Sequence, residues 1–351
     1  LEGEANLDYV ISNLIGFQNA VKCEGSYMFL NSVETADILY PIYEATILNA
    51  DPKLRFIAVK SLNSVMKNFG NDWLSFDADD FIQMIAEAIN NETDEIIFTK
   101  LVKSMKIYVT YFKDFIPYCD AIMELLEGKF EQMNENQQVL VLEVYFKISQ
   151  VLKNDFVQYM QPIYELIETV LTGFDSENPN FPFDLFFECM KIGPEFSVLS
   201  KDEFNSISTT ILTFISSITD LNELSSSQMD SINGALCAIL VKDPSHFFPF
   251  ASDIVALILE QASTDISFES FDPSFNLNDD YKYGDGISCF NSKTNMIEVF
   301  DISTINLIAE ALNTLNILLI NIGKVVEIEN FCSNLVEVIQ KNLTQNKISA
   351  T

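Results

Sequence analysis

The sequence is very poor in the residues from which most catalytic and metal sites are built. Its 351 residues include one tryptophan, one histidine (His246) and one arginine (Arg55). A serine triad or a zinc site with histidine ligands therefore has almost nothing to be built from. His246 stands at a helix entrance, where a capping or solvated role is expected. We predict that the chain is not an enzyme and has no catalytic, cofactor-binding or metal-binding residues and no cofactor.

Cysteine is sparse as well, and no two cysteines stand close together in the sequence. Zinc sites and redox motifs of the CxxC type need close pairs, so both are excluded by the spacing. We interpret the cysteines as reduced thiols of an intracellular protein. The six cysteines are Cys23, Cys119, Cys189, Cys237, Cys289 and Cys332.

Positive charge is scarce, because 20 Lys and Arg residues stand against 51 Asp and Glu residues and give a formal net charge of −31. Such a surface repels nucleic acid and anionic lipid and attracts basic partners. The alternative is that the acidity only keeps a large protein soluble. Long apolar runs are missing too, since polar residues interrupt the stretch 307–322. We predict no nucleic-acid partner, no membrane partner and a monomeric chain.

What the sequence does contain is a repeat of 41 to 48 residues. Two aromatic residues three positions apart occur at 72–76, 114–118, 155–159 and 246–250. Their first members, Trp73, Phe115 and Phe156, are 42 and 41 residues apart, and Phe247 follows after 91 residues, which is two periods. Phe204 marks the intermediate unit less clearly. A unit of this length that holds two helices is typical of HEAT or armadillo repeats.

The apolar residues within each unit recur at intervals of three and four, which predicts helices. We therefore predict an all-α solenoid of about seven tandem HEAT-type helix pairs, each with a first helix A and a second helix B. Two units are predicted as 94–112 with 116–130, and 136–152 with 156–171. Further B helices are predicted at 35–48, 79–89, 202–215 and 247–261, and a last pair at 302–322 and 326–342. The repeated aromatic residues are interpreted as packing residues between units.

One segment, at about 264–300, interrupts the period. It has no helical pattern and is rich in turn-forming residues such as those at 278–280 and 283–286. A loop of this length in a compact array is either functional or an inert insertion, and the sequence leaves both open. We predict a single solenoid over residues 1–351 with a long non-helical insertion at this place.

Acidic residues recur at matching positions of the predicted B helices. Glu44, Glu124 and Glu165 follow similar motifs and are 80 and 41 residues apart. Asp120, Glu124 and Glu127 share one helix face, and the corresponding residues one unit later do the same. Because B helices line the concave side of HEAT-type arrays, these faces predict a groove for an extended basic peptide. The alternative for each residue is an ordinary solvated helix face. The predicted cargo-binding residues are Glu44, Asp80, Glu87, Asp120, Glu124, Glu127, Gln161, Glu165 and Glu168.

These features resemble the importin-beta superfamily of nuclear transport receptors (karyopherins), and most closely its importin beta-3 branch. The B-helix openings Lys-Asp-Phe-Ile-Pro-Tyr-Cys-Asp-Ala-Ile-Met at 113–123 and Asn-Asp-Phe-Val-Gln-Tyr-Met-Gln-Pro at 154–162 carry the resemblance, together with the acidity. The segment Asn-Asp-Asp-Tyr-Lys-Tyr at 278–283, followed by 290–294 and 303–312, is similar to an acidic and aromatic insertion of that branch. The resemblance covers 98–323 and predicts a piece from the middle of a longer HEAT array.

The resemblance implies a receptor that shuttles between cytoplasm and nucleus through nuclear pores. It implies binding of basic localisation signals on the concave face, binding of Phe-Gly nucleoporins between outer helices, and release of cargo to Ran-GTP, mainly through repeats outside this piece. The alternative function is a non-transport HEAT scaffold, such as a phosphatase regulatory subunit or an assembly platform, although the phosphatase scaffold has shorter and more regular repeats. A tubulin-binding array would be expected to use basic loops, which the charge of −31 opposes.

Overall fold

The computed structural model describes residues 7–22, 33–69, 78–112, 115–218, 224–264, 268–272, 287–300 and 302–322, together with Gln340. In these residues the chain forms thirteen α-helices and three β-strands. The helices are α1 (Leu7–Val21), α2 (Val33–Ile47), α3 (Pro52–Phe69), α4 (Ala78–Asn91), α5 (Glu95–Tyr111), α6 (Cys119–Phe130), α7 (Glu135–Leu152), α8 (Val157–Thr172), α9 (Phe183–Ile192), α10 (Lys201–Ser217), α11 (Ser226–Lys242), α12 (Ala251–Ala262) and α13 (Ile302–Ile322).

The helices alternate between the two predicted roles. The odd-numbered helices are the A helices and the even-numbered ones are the B helices, and short 3-10 turns precede several B helices, as at Ile116–Tyr118 and Lys153–Phe156. The predicted all-α repeat architecture is confirmed, and the A helix predicted at 94–112 is observed at Glu95–Tyr111. The B helix predicted at 326–342 lies outside the described residues except for Gln340.

The contacts divide the chain into two compact units. Unit 1 comprises Leu1–Ile163, Ser176–Leu185 and Phe196–Leu199. Unit 2 comprises Tyr164–Asp175, Phe186–Glu195 and Ser200–Thr351.

In unit 1 the A helices α1, α3, α5 and α7 pack side by side in chain order, and the B helices α2, α4 and α6 form a second row. Helix α5 shows why such a segment is helical. Its N-cap Asp94 accepts hydrogen bonds from the Ile96 and Ile97 N–H groups at 2.9 and 3.0 Å. Its buried face includes Leu101, Met105 and Tyr108, which recur at helical spacing. The helix thereby buries this face against its neighbours.

Two helices of unit 2 begin with strong sequence signals. Ser200 and Glu203 form a capping box at the start of α10, and Ser225 and Gln228 form another at the start of α11. Polar residues of this kind satisfy the N–H groups that a helix leaves unpaired at its first turn. The core of this unit includes three mutually packed rings with centroids 4.8 to 5.0 Å apart. These rings belong to Phe174, Phe186 and Phe214.

The repeated aromatic residues are packing residues where the structure describes them. Phe115, Phe156 and Phe247 are all buried at the entrances of their B helices. Trp73 lies outside the described residues. The intermediate unit is marked in the same way by Phe196, which is 40 residues after Phe156. The sequence pattern instead indicates Phe204, eight residues further along, as the marker of this unit.

Phe196 occupies the position that follows from the period. Its ring is stacked on that of Phe156 with centroids 6.0 Å apart, and it meets the ring of Phe146 edge-on at 5.5 Å. Phe204 is buried as well, inside α10. The signal that could have identified Phe196 is its spacing from Phe115 and Phe156, which keeps the period at 41 and 40 residues.

The interruption at 264–300 contains a small antiparallel sheet that the sequence analysis did not predict. Strands β1 (Phe268–Phe271), β2 (Ile287–Asn291) and β3 (Met296–Phe300) are ordered β1-β3-β2. The hairpin between β2 and β3 turns at Asn295, whose φ of 59° is in the left-handed region that asparagine tolerates. The Asn291 side chain supports the turn by accepting a hydrogen bond from the Lys293 N–H at 3.0 Å. Residues 273–286, with the acidic segment 278–280, lie outside the described residues.

Candidate partner-binding surface

The nine predicted cargo-binding residues all lie on B helices. Eight of them are exposed, and Glu168 is half-buried. They occupy the side of each helix that faces away from its buried residues, which in α6 are Cys119, Ile122, Met123 and Leu126. By helix, the residues are Glu44 on α2, Asp80 and Glu87 on α4, Asp120, Glu124 and Glu127 on α6, and Gln161, Glu165 and Glu168 on α8.

Helices α6 and α8 bury matching positions, which supports the register inferred from the repeat. Ile122 and Ile163, which are 41 residues apart, are both 2% exposed. Leu126 and Ile167, also 41 residues apart, are both fully buried. Glu124 and Glu165 are separated by the same 41 residues and therefore occupy equivalent positions on their helices.

Helix α2 is rotated relative to this register. Ile42 is 41% exposed, although the sequence alignment matches it to the buried Ile122 and Ile163. The buried positions of α2 and α6 agree if Glu44 is aligned with Asp120. This alignment is shifted by one helical turn from the one that the sequence motif gives. The matched pairs are then Tyr43 with Cys119, Thr46 with Ile122 and Ile47 with Met123. The burial pattern therefore does not support the prediction that Glu44 and Glu124 occupy equivalent positions of their repeats.

Asp120 is linked to the next B helix by a tyrosine. The Tyr159 hydroxyl group, at the start of α8, donates a hydrogen bond to the Asp120 carboxylate. Burial of the hydroxyl and its bond to Asp120 together raise the pKa of Tyr159 to about 12. The bond holds one carboxylate oxygen in place, and the Asp120 side chain stays exposed on the α6 surface.

Glu168 is held by two hydroxyl groups. Its Oε1 atom accepts hydrogen bonds from the Tyr164 hydroxyl at 2.5 Å and from the Ser206 hydroxyl of α10 at 3.1 Å. Burial and then the bond to Glu168 raise the pKa of Tyr164. Because two hydroxyl groups already occupy this oxygen and the residue is half-buried, Glu168 contributes to the joint between α8 and α10 as well as to the surface charge.

Among the helices, acidic residues are more frequent on the B helices than on the A helices. The six B helices contain fifteen acidic residues and only two basic ones, Lys129 and Lys201. The seven A helices contain eight acidic residues and ten basic ones. The negative charge is therefore not shared evenly between the two sets of helices.

A second feature that the sequence analysis did not predict is an ion pair between consecutive repeats. Arg55, near the start of α3, binds Glu92 in the turn before α5 through two parallel hydrogen bonds, from Nε to Oε2 and from Nη2 to Oε1, both 2.8 Å long. The pair joins residues 37 positions apart, so no local pattern reveals it. It is a structural contact, because both partners are largely buried.

Neither a cluster of metal-ligating residues nor a membrane-spanning helix is found in the described part of the chain. No group of three or more His, Cys, Asp or Glu residues there could hold a metal ion. Among the same residues, no helix is both long and apolar enough to cross a membrane. Of the two roles expected for His246, capping or solvation, capping is not observed, and the residue is half-buried. Asp243 is the cap residue, and the His246 ring packs edge-on against Phe204 with centroids 5.9 Å apart.

Comparison with solved structures gives a consistent result. The crystal structure of Kap121p bound to Ste12p matches with a TM-score of 0.71 at 14% identity and covers 90% of this chain. Kap121p by itself matches with a TM-score of 0.70 at 15% identity over 89% of this chain, and Kap121p bound to Pho4p with 0.67 at 14% over 90%. Kap121p is a karyopherin.

The chain has the fold of a karyopherin HEAT-repeat array. The likeness to the importin-beta superfamily that the sequence indicates is thus confirmed for the fold. The chain covers 29 to 31% of the length of these Kap121p structures. The sequence matches no protein-family model and no curated protein.

Proposed function

We propose that this karyopherin-like chain is part of a nuclear transport receptor and that the acidic surface of its B helices binds basic localisation signals. The observation that carries the proposal is the segregation of charge, with fifteen acidic and two basic residues on the B helices. The fold likeness to Kap121p supports it, because crystal structures of Kap121p contain the bound proteins Pho4p and Ste12p.

The spacing of the B helices suits an extended peptide. Packed helices lie about 8 to 10 Å apart, and an extended chain advances about 3.3 Å per residue. A peptide that crosses the row α2, α4 and α6 would therefore bring every third residue to a new helix. Lysine or arginine at intervals of three would meet a carboxylate on each helix in turn, and Asp120, Glu124 and Glu127 offer a choice of contact along α6.

The same likeness supports a wider role. Kap121p has been solved bound to Nup53p and to the SUMO protease Ulp1p. We propose that the present chain contributes to binding of cargo proteins and of Phe-Gly nucleoporins, within a receptor that shuttles between cytoplasm and nucleus and releases cargo to Ran-GTP, mainly through other repeats.

A binding assay tests the proposal. A fluorescein-labelled peptide with lysine at every third position is titrated with the full chain, and its anisotropy is followed at about 0.05 and 0.2 M salt. The variant Glu124→Ala with Glu165→Ala removes two equivalent exposed carboxylates. If each contributes about 0.7 kcal/mol, as exposed charge contacts do, the double variant should bind about tenfold more weakly.

The control variant is Glu131→Ala with Glu177→Ala, which makes the same change in net charge at two exposed positions outside the B helices. We expect it to bind the peptide as the parent chain does, within a factor of about two. Equal loss in both variants would mean that only the overall charge attracts the peptide. Binding that does not weaken with salt would also contradict the proposal.

A further inference from the structure

Two neighbouring A helices in unit 1 have the opposite charge from the rest of the protein. Helix α3 carries Lys53, Arg55, Lys60 and Lys67 and no acidic residue. Helix α5 carries three lysines and one acidic residue, Glu95. Seven of the 20 basic residues of the chain are therefore found on two helices.

The lysines of α3 form one stripe along the helix. Lys53, Lys60 and Lys67 are seven positions apart, and residues at this spacing share a helix face. All three are exposed. With a rise of 1.5 Å per residue, the stripe is about 21 Å long.

Helix α5 places two more lysines beside this stripe. The two helices pack against each other, and the Asn63 side chain of α3 donates a hydrogen bond to the Lys100 carbonyl of α5 at 3.2 Å. Lys100 and Lys103 are three positions apart on α5 and are both half-buried. Half-burial is compatible with an accessible charge, because a long lysine side chain can bury its stem and keep its ammonium group in water.

Of the seven basic residues on α3 and α5, only two form an ion pair within the described residues. Arg55 is bound to Glu92 at 2.8 Å, and Lys106 is bound to Glu143 of α7 at 2.5 Å. Within the described ranges, the remaining five lysines have no ion-pair partner. We define these five as the α3–α5 lysine patch: Lys53, Lys60, Lys67, Lys100 and Lys103.

We propose that the α3–α5 lysine patch binds a short acidic segment of a partner protein. This surface is separate from the acidic B-helix surface and does not depend on the function proposed for it. The choice of partner rests on charge complementarity. The protein as a whole has a net charge of −31 and repels anionic groups, so an anionic segment is attracted only where the local charge is positive, as it is at these lysines.

The size of the patch favours a peptide over a larger polyanion. At about 0.15 M salt the Debye length is about 8 Å, so a ligand that stays within the patch is screened from most of the acidic residues elsewhere. A stripe of about 21 Å accommodates about six residues of an extended peptide at 3.3 Å per residue. An RNA strand or an anionic bilayer would extend past the patch, and its charge would meet acidic surface.

The test uses a fluorescein-labelled hexaglutamate peptide and the full chain at about 0.1 M salt, where the Debye length is about 10 Å. Binding is measured by anisotropy for the parent chain and for Lys60→Glu with Lys103→Glu. The matched control is Lys153→Glu with Lys201→Glu, two exposed lysines outside α3 and α5, which changes the net charge by the same amount. The neutral variant Lys60→Gln with Lys103→Gln provides a second measurement if the charge reversal impairs folding, which circular dichroism reports.

We expect the parent chain and the control to bind the peptide equally within a factor of two, the glutamine variant at least fivefold more weakly, and the charge-reversal variant at least tenfold more weakly. Equal losses in the patch and control variants would overturn the proposal, because overall charge would then explain the binding. Absence of binding to the parent chain would also overturn it. So would tighter binding of an oligoadenylate RNA or of phosphatidylserine vesicles, tested in parallel, since the patch would then serve a different class of partner.

Discussion

Replacing Arg55 with alanine is expected to destabilise unit 1 by about 3 kcal/mol, because a charged carboxylate is left buried without its partner. The Arg55 side chain is 17% exposed and that of Glu92 only 3%. Arg55 also donates from Nη1 to the Asn49 and Ala50 carbonyl groups, each at 3.0 Å. The change thus removes two charge-assisted bonds to Glu92 and two bonds to the backbone.

The magnitude follows from what remains around Glu92. Breaking a buried ion pair from one side costs about 3 to 5 kcal/mol. The Glu92 carboxylate keeps two partners, the Thr93 and Asp94 N–H groups at 3.0 and 2.9 Å, so the lower end of that range applies. Removing both charges, as in Arg55→Met with Glu92→Leu, should cost less than Arg55→Ala alone, because no charge is then left unpaired.

The assay is urea unfolding followed by circular dichroism. With a slope of about 2 kcal/mol per M, the expected loss lowers the midpoint by about 1.5 M. Lys53→Ala is the matched control, since it removes an exposed cation from the same turn of α3 and should change stability by less than about 0.5 kcal/mol. In a repeat protein the substitution weakens the interface between two neighbouring repeats. A separate unfolding transition at lower urea concentration than the main one would therefore also agree with the prediction.

The dependence on pH gives the experiment a second readout. Burial by itself raises the pKa of Glu92, but the bonds from Arg55 and from the backbone N–H groups outweigh burial, and the pKa is lowered. A lowered pKa stabilises the folded state above the pKa of the unfolded chain, roughly 4.3, and this stabilisation is lost as the pH falls through the folded value. The difference between the parent chain and Arg55→Ala should therefore shrink below about pH 4. A loss of less than about 1 kcal/mol at pH 7, or a double variant less stable than Arg55→Ala, would refute the reasoning.

Two further outcomes are expected. Phe156→Ala should destabilise unit 1 by about 3 to 5 kcal/mol in urea unfolding, because a fully buried ring stacked on Phe196 is lost. The control Val157→Ala, at the exposed neighbouring position, should cost less than about 1 kcal/mol. Similar losses in both variants would contradict the packing role of Phe156. Burial and then the neighbouring Asp120 charge raise the pKa of the Cys119 thiol to about 11. Iodoacetamide at pH 8 should therefore label Cys119 only after unfolding, as measured by mass spectrometry. Rapid labelling of the folded chain would contradict the burial of this thiol.

Several features of the surface could be predicted from the sequence because they depend on local pattern. The acidic residues of α6 and Glu165 of α8 are exposed because apolar residues at intervals of three and four determine the buried face of each helix. The register of Glu124 with Glu165 follows from a constant repeat length. Glu44 shows the limit of this reasoning, because the aligned motif of α2 gives a register one turn away from the one that burial indicates. A degenerate four-residue motif cannot fix the rotation of a helix, which is set by the helices packed against it.

The sequence by itself determined the helices, the period and the sign of the charge on each helix, because each of these depends on residues within one turn or one repeat. Tertiary structure decided which distant residues meet. Arg55 and Glu92 are 37 residues apart, Tyr159 and Asp120 are 39 apart, and strands β1 and β3 pair across the segment 272–295. A strand gains its hydrogen bonds only from another strand, and a buried ion pair forms only where folding removes both groups from water, so short-range patterns give no signal for either.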